Sequence, residues 1–146
     1  MATTATLTLT SADIAGDPVN VSKTATLTKA GNTTSLDQST GLNRVHLRET
    51  TEVTLFDSVA GGLGLAAKVY IINKADPTDG TLYITVKINA QVIGKLYAGQ
   101  WLFMPWSQND AAANVTIAAT SWTSTSGDIP VEYAMFHENS KILLDA

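Results

Sequence analysis

Apolar and polar residues alternate with a period of two along most of the chain. Ala5, Leu7 and Leu9 are separated by Thr6 and Thr8, and Ala25 and Leu27 by Thr26. The same alternation runs through Leu82, Ile84, Val86 and Ile88, and through Val131, Tyr133 and Met135. Successive side chains of a strand point to opposite faces, so the pattern predicts strands with two unlike faces. Further strands are expected over 45–47, 52–56, 68–73, 92–97, 100–105 and 115–120, where β-branched and aromatic residues gather. Strict alternation puts Leu82, Ile84, Val86 and Ile88 together on the core side.

Turn residues separate these runs. Asp76-Pro77-Thr78-Asp79-Gly80 carries the residues that tight turns favour. Asn89-Ala90 and Ala98-Gly99 read as tight hairpins, and Ser126-Gly127-Asp128 precedes the last long strand. No stretch has a convincing helical period; 108–113 has room for one turn, and 139–146 for a short helix or an arm. Short strands at this spacing predict an all-β fold, an antiparallel β-sandwich or a jelly-roll-like barrel. Thr-Ala-Thr-Leu-Thr occurs at residues 4–8 and again at 24–28. Two such strands twenty residues apart would make a pair, but in so Thr-rich a region chance similarity is the favoured reading.

Composition sharpens this reading. Thr fills 21 positions and charged residues only 15%, so Thr and Ser hydroxyls stand where charges usually stand. All the aromatic residues lie at Phe56 or later. Large aromatics dominate core energetics, so 56–138 is expected to be the main sandwich of a single domain. The Thr-rich stretch 1–55 is expected to add strands to the later sheets or to extend onto a neighbouring subunit, and 139–146 to form a C-terminal arm. That arm carries Ile142, Leu143 and Leu144. It is expected to pack against another chain or across the base of the same sandwich, and to be poorly ordered in an isolated monomer.

Chemistry finds little to work with. The chain has no cysteine, which removes disulfides, thiolate metal sites and a cysteine nucleophile. A net charge of −4 argues against nucleic acid, which needs a basic face. No apolar run is long enough to cross a bilayer, and 1–10 lacks the pattern of a signal peptide. The protein is therefore expected to be made in the cytoplasm, with no membrane partner. Gly62-Leu63-Gly64-Leu65-Ala66-Ala67 has the spacing of a dinucleotide loop, but the β-type run from Lys68 to Ile72 follows where a helix is needed. It reads as a glycine loop between strands. His46 and His137 lack a matching nucleophile or carboxylate set, and neither is expected to matter for function. Asp76 and Asp79 lack the spacing of a calcium loop and read as turn residues. Asn20, Asn32 and Asn114 open glycosylation-type triplets, which are accidental without a secretory signal. No catalytic residue, metal site or cofactor is expected, and the chain reads as a structural protein and not an enzyme.

Trp101-Leu102-Phe103-Met104-Pro105-Trp106 is the most apolar segment. Its two faces are both large, so three readings stay open: a strand buried on both sides, a protein interface, or a platform for sugars. Trp101, Phe103 and Trp106, with Ile142, Leu143 and Leu144, are the candidate interface residues.

The layout resembles small virion proteins of tailed phages, especially the capsid decoration or cement proteins of phages infecting cyanobacteria and other marine bacteria. The likeness is carried by the opening Ala-Thr-Leu-Thr-Leu-Thr and by Ala25-Thr26-Leu27-Thr28-Lys29-Ala30-Gly31. It continues through the polar stretch 36–42, Lys68 to Asn73, and Ile93-Gly94-Lys95-Leu96-Tyr97-Ala98-Gly99-Gln100-Trp101. Pro105-Trp106 and the closing Val131-Glu132-Tyr133 complete it. Gly61 to Leu65 and the segment beyond Glu138 are where this chain is expected to differ. The resemblance implies an all-β domain that oligomerises, often as a trimer, on the capsid surface of a virion, with itself and the major capsid protein as partners. The rival readings are a tail or head–tail component of the same β type, a glycan-binding β-sandwich module and, ranked last, an enzyme using His46 or His137.

Overall fold

The computed structural model describes residues 4–12, 18–27, 38–48, 52–57, 66–78, 80–107, 114–119 and 128–137. Among these residues every regular element is a strand. In chain order they are β1 (Thr4–Ser11), β2 (Val19–Thr26), β3 (Gln38–Ser39), β4 (Asn43–Leu47), β5 (Val53–Asp57) and β6 (Ala66–Asn73). There follow β7 (Tyr83–Ile88), β8 (Gln91–Tyr97), β9 (Trp101–Ser107), β10 (Asn114–Ala119) and β11 (Ile129–His137). The fold is all-β, and every pairing is antiparallel.

Two open sheets form the body. One is four-stranded, in the order β5-β10-β7-β8; the other is five-stranded, with β9 beside β6, β6 beside β11, and β4 and β3 following one another along the far side of β11. Neither sheet closes into a barrel. The period-two reading decides which side chains meet between them. Ala67, Val69 and Ile71 of β6 and Ile129, Val131 and Met135 of β11 are buried on the inner face of one sheet. Phe56, Ile84 and Val86 are buried on the other, with Leu82 just before β7. Ile88 packs against this cluster too, so Leu82, Ile84, Val86 and Ile88 all face the core as alternation requires. The Phe56 ring bridges the sheets, 5.8 Å from Trp106 of β9 and 5.4 Å from Tyr133 of β11. The core also takes Leu47, with Val45, Val53 and Leu55 packed against it. Strands β3 and β4, and the start of β5, thus add to the body's sheets from within the aromatic-free stretch.

Strands β1 and β2 do something different. Among the described residues they pair only with each other, from Thr4↔Thr26 to Ser11↔Val19. The recurring Thr-Ala-Thr segments lie side by side, Ala5 opposite Ala25, with the Thr6 and Thr24 hydroxyls 2.9 Å apart. A recurrence that reads as chance in the sequence is a pairing in the fold.

The tight turns follow their residues. Asn89 and Ala90 adopt positive φ of 49° and 63°, the left-handed pair that matches strand twist in a two-residue hairpin. Gly99, at φ 78°, closes the β8–β9 turn, where an added Cβ would lie 3.3 Å from the Pro77 ring. Asp76 Oδ1 accepts from the backbone N–H and the hydroxyl of Thr78 at 2.9 and 2.8 Å. These bonds, backbone first, hold its carboxyl below the ordinary range. Asp76 is thereby accounted for as a turn residue; Asp79 lies outside the described residues, as do 62–65, 108–113, 126–127 and 139–146.

Asn73 ends β6 and is fully buried. Its side-chain amide donates to the Leu96 carbonyl at 3.0 Å and, at the long limit, to the Leu82 carbonyl at 3.5 Å. Its Oδ1 accepts from the Ala75 N–H at 3.0 Å. Its backbone N–H donates to the Gln100 carbonyl at 3.0 Å, and its carbonyl accepts from the Gly99 N–H at 2.9 Å. One residue of the five-stranded sheet thus fastens β8 of the other sheet and the turn between β8 and β9. Asn73→Asp replaces a donor by a buried carboxylate facing carbonyl oxygens, which is expected to cost about 3–5 kcal/mol at neutral pH. Burial raises the pKa of such a carboxylate in the folded state, so the loss shrinks as pH falls towards the ordinary carboxylate range. Urea unfolding of the variant at both pH values measures this. Equal stability with the native chain at neutral pH would contradict the role given to Asn73.

Candidate interaction site

The outer face of the five-stranded sheet is apolar for a surface. Three rows cross it. Tyr70 of β6 lies between Phe103 of β9 and Ala134 of β11; Ile72 lies between Trp101 and Glu132; Lys68 lies between Pro105 and Phe136. The Phe103 and Phe136 rings are 6.3 Å apart. This face arises because β9 is apolar at every position but its last. Leu102 and Met104 pack towards the core, which sends Trp101, Phe103 and Pro105 outward.

The base of the β1–β2 hairpin stands over this face without sealing it. Ala5, Thr6 and Leu27 on one side and Trp101 and Phe103 on the other wall two adjoining cavities of about 470 and 510 Å³. Tyr70, Ala134 and Phe136 line the first, and Lys23, Lys68 and Pro105 the second. Leu27 is buried here, apart from the main core. Further along the hairpin, Leu7 is 42% and Leu9 51% exposed. Partial burial first, and the neighbouring Glu132 charge second, raise the Tyr70 phenol above its ordinary value, so it stays protonated. Glu132 itself is ion-paired with Arg44 of β4, and that hydrogen bond is the main reason its carboxyl lies below the ordinary range.

The candidate residues separate. Trp101 is half exposed and Phe103 half buried on the groove wall. Trp106 is in the core against Phe56, 4% exposed, and among the described residues its indole N–H has no hydrogen-bond partner. It is therefore not a surface contact residue, and the alternation that turns Trp101 outward is the reason. Ile142, Leu143 and Leu144 lie outside the described residues. The sequence reading passed over a second exposed group, Val92 and Ile93 on β8, at 61% and 46% exposure. Among the described residues β8 is an edge strand, and its register with β7 shifts between Val86 and Lys87, which leaves Ile93 as the extra residue of a bulge; the bulge breaks the alternation there, and both side chains are exposed. In the sequence Val92-Ile93 falls inside the strand expected over 92–97, and nothing in the pattern of two marks the bulge.

His46 is exposed on β4, its Nδ1 3.8 Å from the Asp128 carboxylate, which Arg48 engages at 2.8 Å. Among the described residues no three His, Asp or Glu side chains are grouped to hold a metal.

The separation of the tryptophans can be measured. Trp106→Ala is expected to destabilise the protein by about 3–5 kcal/mol, as large core truncations do. Trp101→Ala is expected to cost about 1 kcal/mol or less. Urea unfolding compares them, and equal losses would mean that Trp101 belongs to the core. No protein-family model matches the chain, and no curated protein sequence matches it.

Proposed function

We propose that the chain is a virion structural protein, a capsid decoration protein that stabilises the head by bridging coat subunits. The observation that carries the reading is the division of labour in the fold. A sandwich with its own core is joined to a hairpin that enters neither of its sheets and leaves Leu7 and Leu9 uncovered. A lone two-stranded hairpin is marginal in water, so a partner surface is the natural cover for this one. Val92 and Ile93 on the β8 edge offer a second contact, to another copy of the chain or to coat protein. Each such side chain contributes roughly 1.5–3 kcal/mol when fully buried. Symmetry repeats the contact, so weak single interactions sum over an assembly. The resemblance in layout to decoration proteins supports the same reading.

The exposed Trp101 and Tyr97 rings support a second reading, a glycan-binding module, because sugars stack on such faces. A quantitative peptide inventory of gradient-purified particles of the virus that encodes the chain tests the first reading. The expected result is a copy number in fixed ratio to the major coat protein. Absence from the particles, with retention on a glycan array, would replace the first reading by the second.

A further inference from the structure

We infer that the groove between the β1–β2 hairpin and the outer sheet face binds a single-chain fatty acid, its alkyl chain lying along Trp101 and Phe103 and its carboxylate met by Lys23 and Lys68. The inference does not depend on the chain being a virion component. Three observations lead to it. The first is that both walls of the groove are sheet faces. Ala5 lies opposite Ala25 and Leu7 opposite Lys23, and residues opposite each other on an antiparallel ribbon share a face. These four, with Leu27, line the second cavity, so the hairpin turns its apolar face to Trp101 and Phe103. The two cavities, about 470 and 510 Å³, are each of a size that takes a small molecule.

The second observation is what such walls can recognise. The backbone N–H and C=O groups of a sheet lie in its plane, directed at neighbouring strands. β6 and β11 are paired on both sides, and the face of the hairpin likewise offers side chains only. A peptide seated between two such faces would bury amide groups with few partners, and each one left unpaired is costly. An alkyl chain has none to bury. From the row of Pro105 to the row of Trp101 is four positions along β9, or about 13 Å, room for an extended chain of medium length. The third observation is charge. Among the described residues that wall the two cavities, the charged ones are Lys23 and Lys68, and both line the second. Lys68 lies in the row of Pro105, at the opposite end of the face from Trp101. Glu132, which shares this sheet face, is engaged by Arg44 and lines neither cavity. The groove thus joins an apolar run to a basic wall, the complement of an alkyl chain that ends in a carboxylate.

Calorimetric titration of the full chain with decanoate, kept below its micelle-forming concentration, tests the site, with decanol as the uncharged probe. The expected result is one saturable site for decanoate. Lys23→Gln combined with Lys68→Gln is expected to weaken decanoate about threefold to tenfold, as the loss of two solvent-facing ion pairs does, and to leave decanol unchanged. Trp101→Ala is expected to weaken both probes. Decanoate affinity that survives both variants would overturn the inference. Amide chemical shifts locate the probe without substitution: decanoate is expected to perturb 5–7, 25–27 and 101–105, and perturbation confined to other strands would place it elsewhere and overturn the assignment. Phosphatidylglycerol vesicles form the last arm. Sedimentation with vesicles but no saturable binding of decanoate would assign the face to a bilayer surface and overturn the pocket, and the absence of both would overturn it equally.

Discussion

The buried amide of Asn73 is the point at which the two sheets become one body. Apolar contact between Phe56, Trp106 and Tyr133 presses the sheets together, but such contact is non-directional and tolerates sliding. The Asn73 side chain removes that freedom. It meets the Leu96 carbonyl from the opposite sheet and the Ala75 N–H from its own turn. Its backbone meanwhile holds Gly99 and Gln100. With the β8–β9 turn fixed, β8 and β9 become the neighbouring edges of the two sheets. The alternation of β9 then decides that Trp101 and Phe103 face outward.

That geometry explains why the hairpin has a floor to stand on but no sheet to join. The outer face under it is made by β6, β9 and β11, whose inner faces are already committed to the core. Packing a ribbon flat on such a face buries side chains but forms no ladder hydrogen bonds with it. The hairpin accordingly pairs its two facing edges with each other, and among the described residues its attachment rests on Leu27 and a few small residues. A body with its own core and a lightly attached ribbon leaves Leu7 and Leu9 open to contact. The decoration role proposed above draws on that arrangement.

Much of the fold was legible in the sequence because period-two alternation is a direct image of strand geometry. Leu82 to Ile88 and Val131 to Met135 were placed correctly on that ground, as was the Asn89-Ala90 turn. Alternation says which face of a strand is apolar but not which layer will cover it. For that reason the hairpin's separation from both sheets was not legible, and the recurrence of Thr-Ala-Thr-Leu-Thr was read as chance. In 101–106 both faces are apolar, so the period could not tell Trp101 from Trp106; the pairing of β9 with β6 does. Asn73 was hidden for a different reason. Asn73 stands at the end of the strand expected over 68–73, and only the approach of Leu96 from the other sheet gives its amide a buried task.

The central claim is that the hairpin serves association and the sandwich folds without it. Co-sedimentation with coat shells stripped of the protein tests this most directly, comparing the full chain with one lacking residues 1–26, urea unfolding serving as the control for folding. The account predicts that the shortened chain keeps the unfolding midpoint of the body and no longer sediments with the shells. A shortened chain that folds and binds the shells as tightly as the full chain would contradict it.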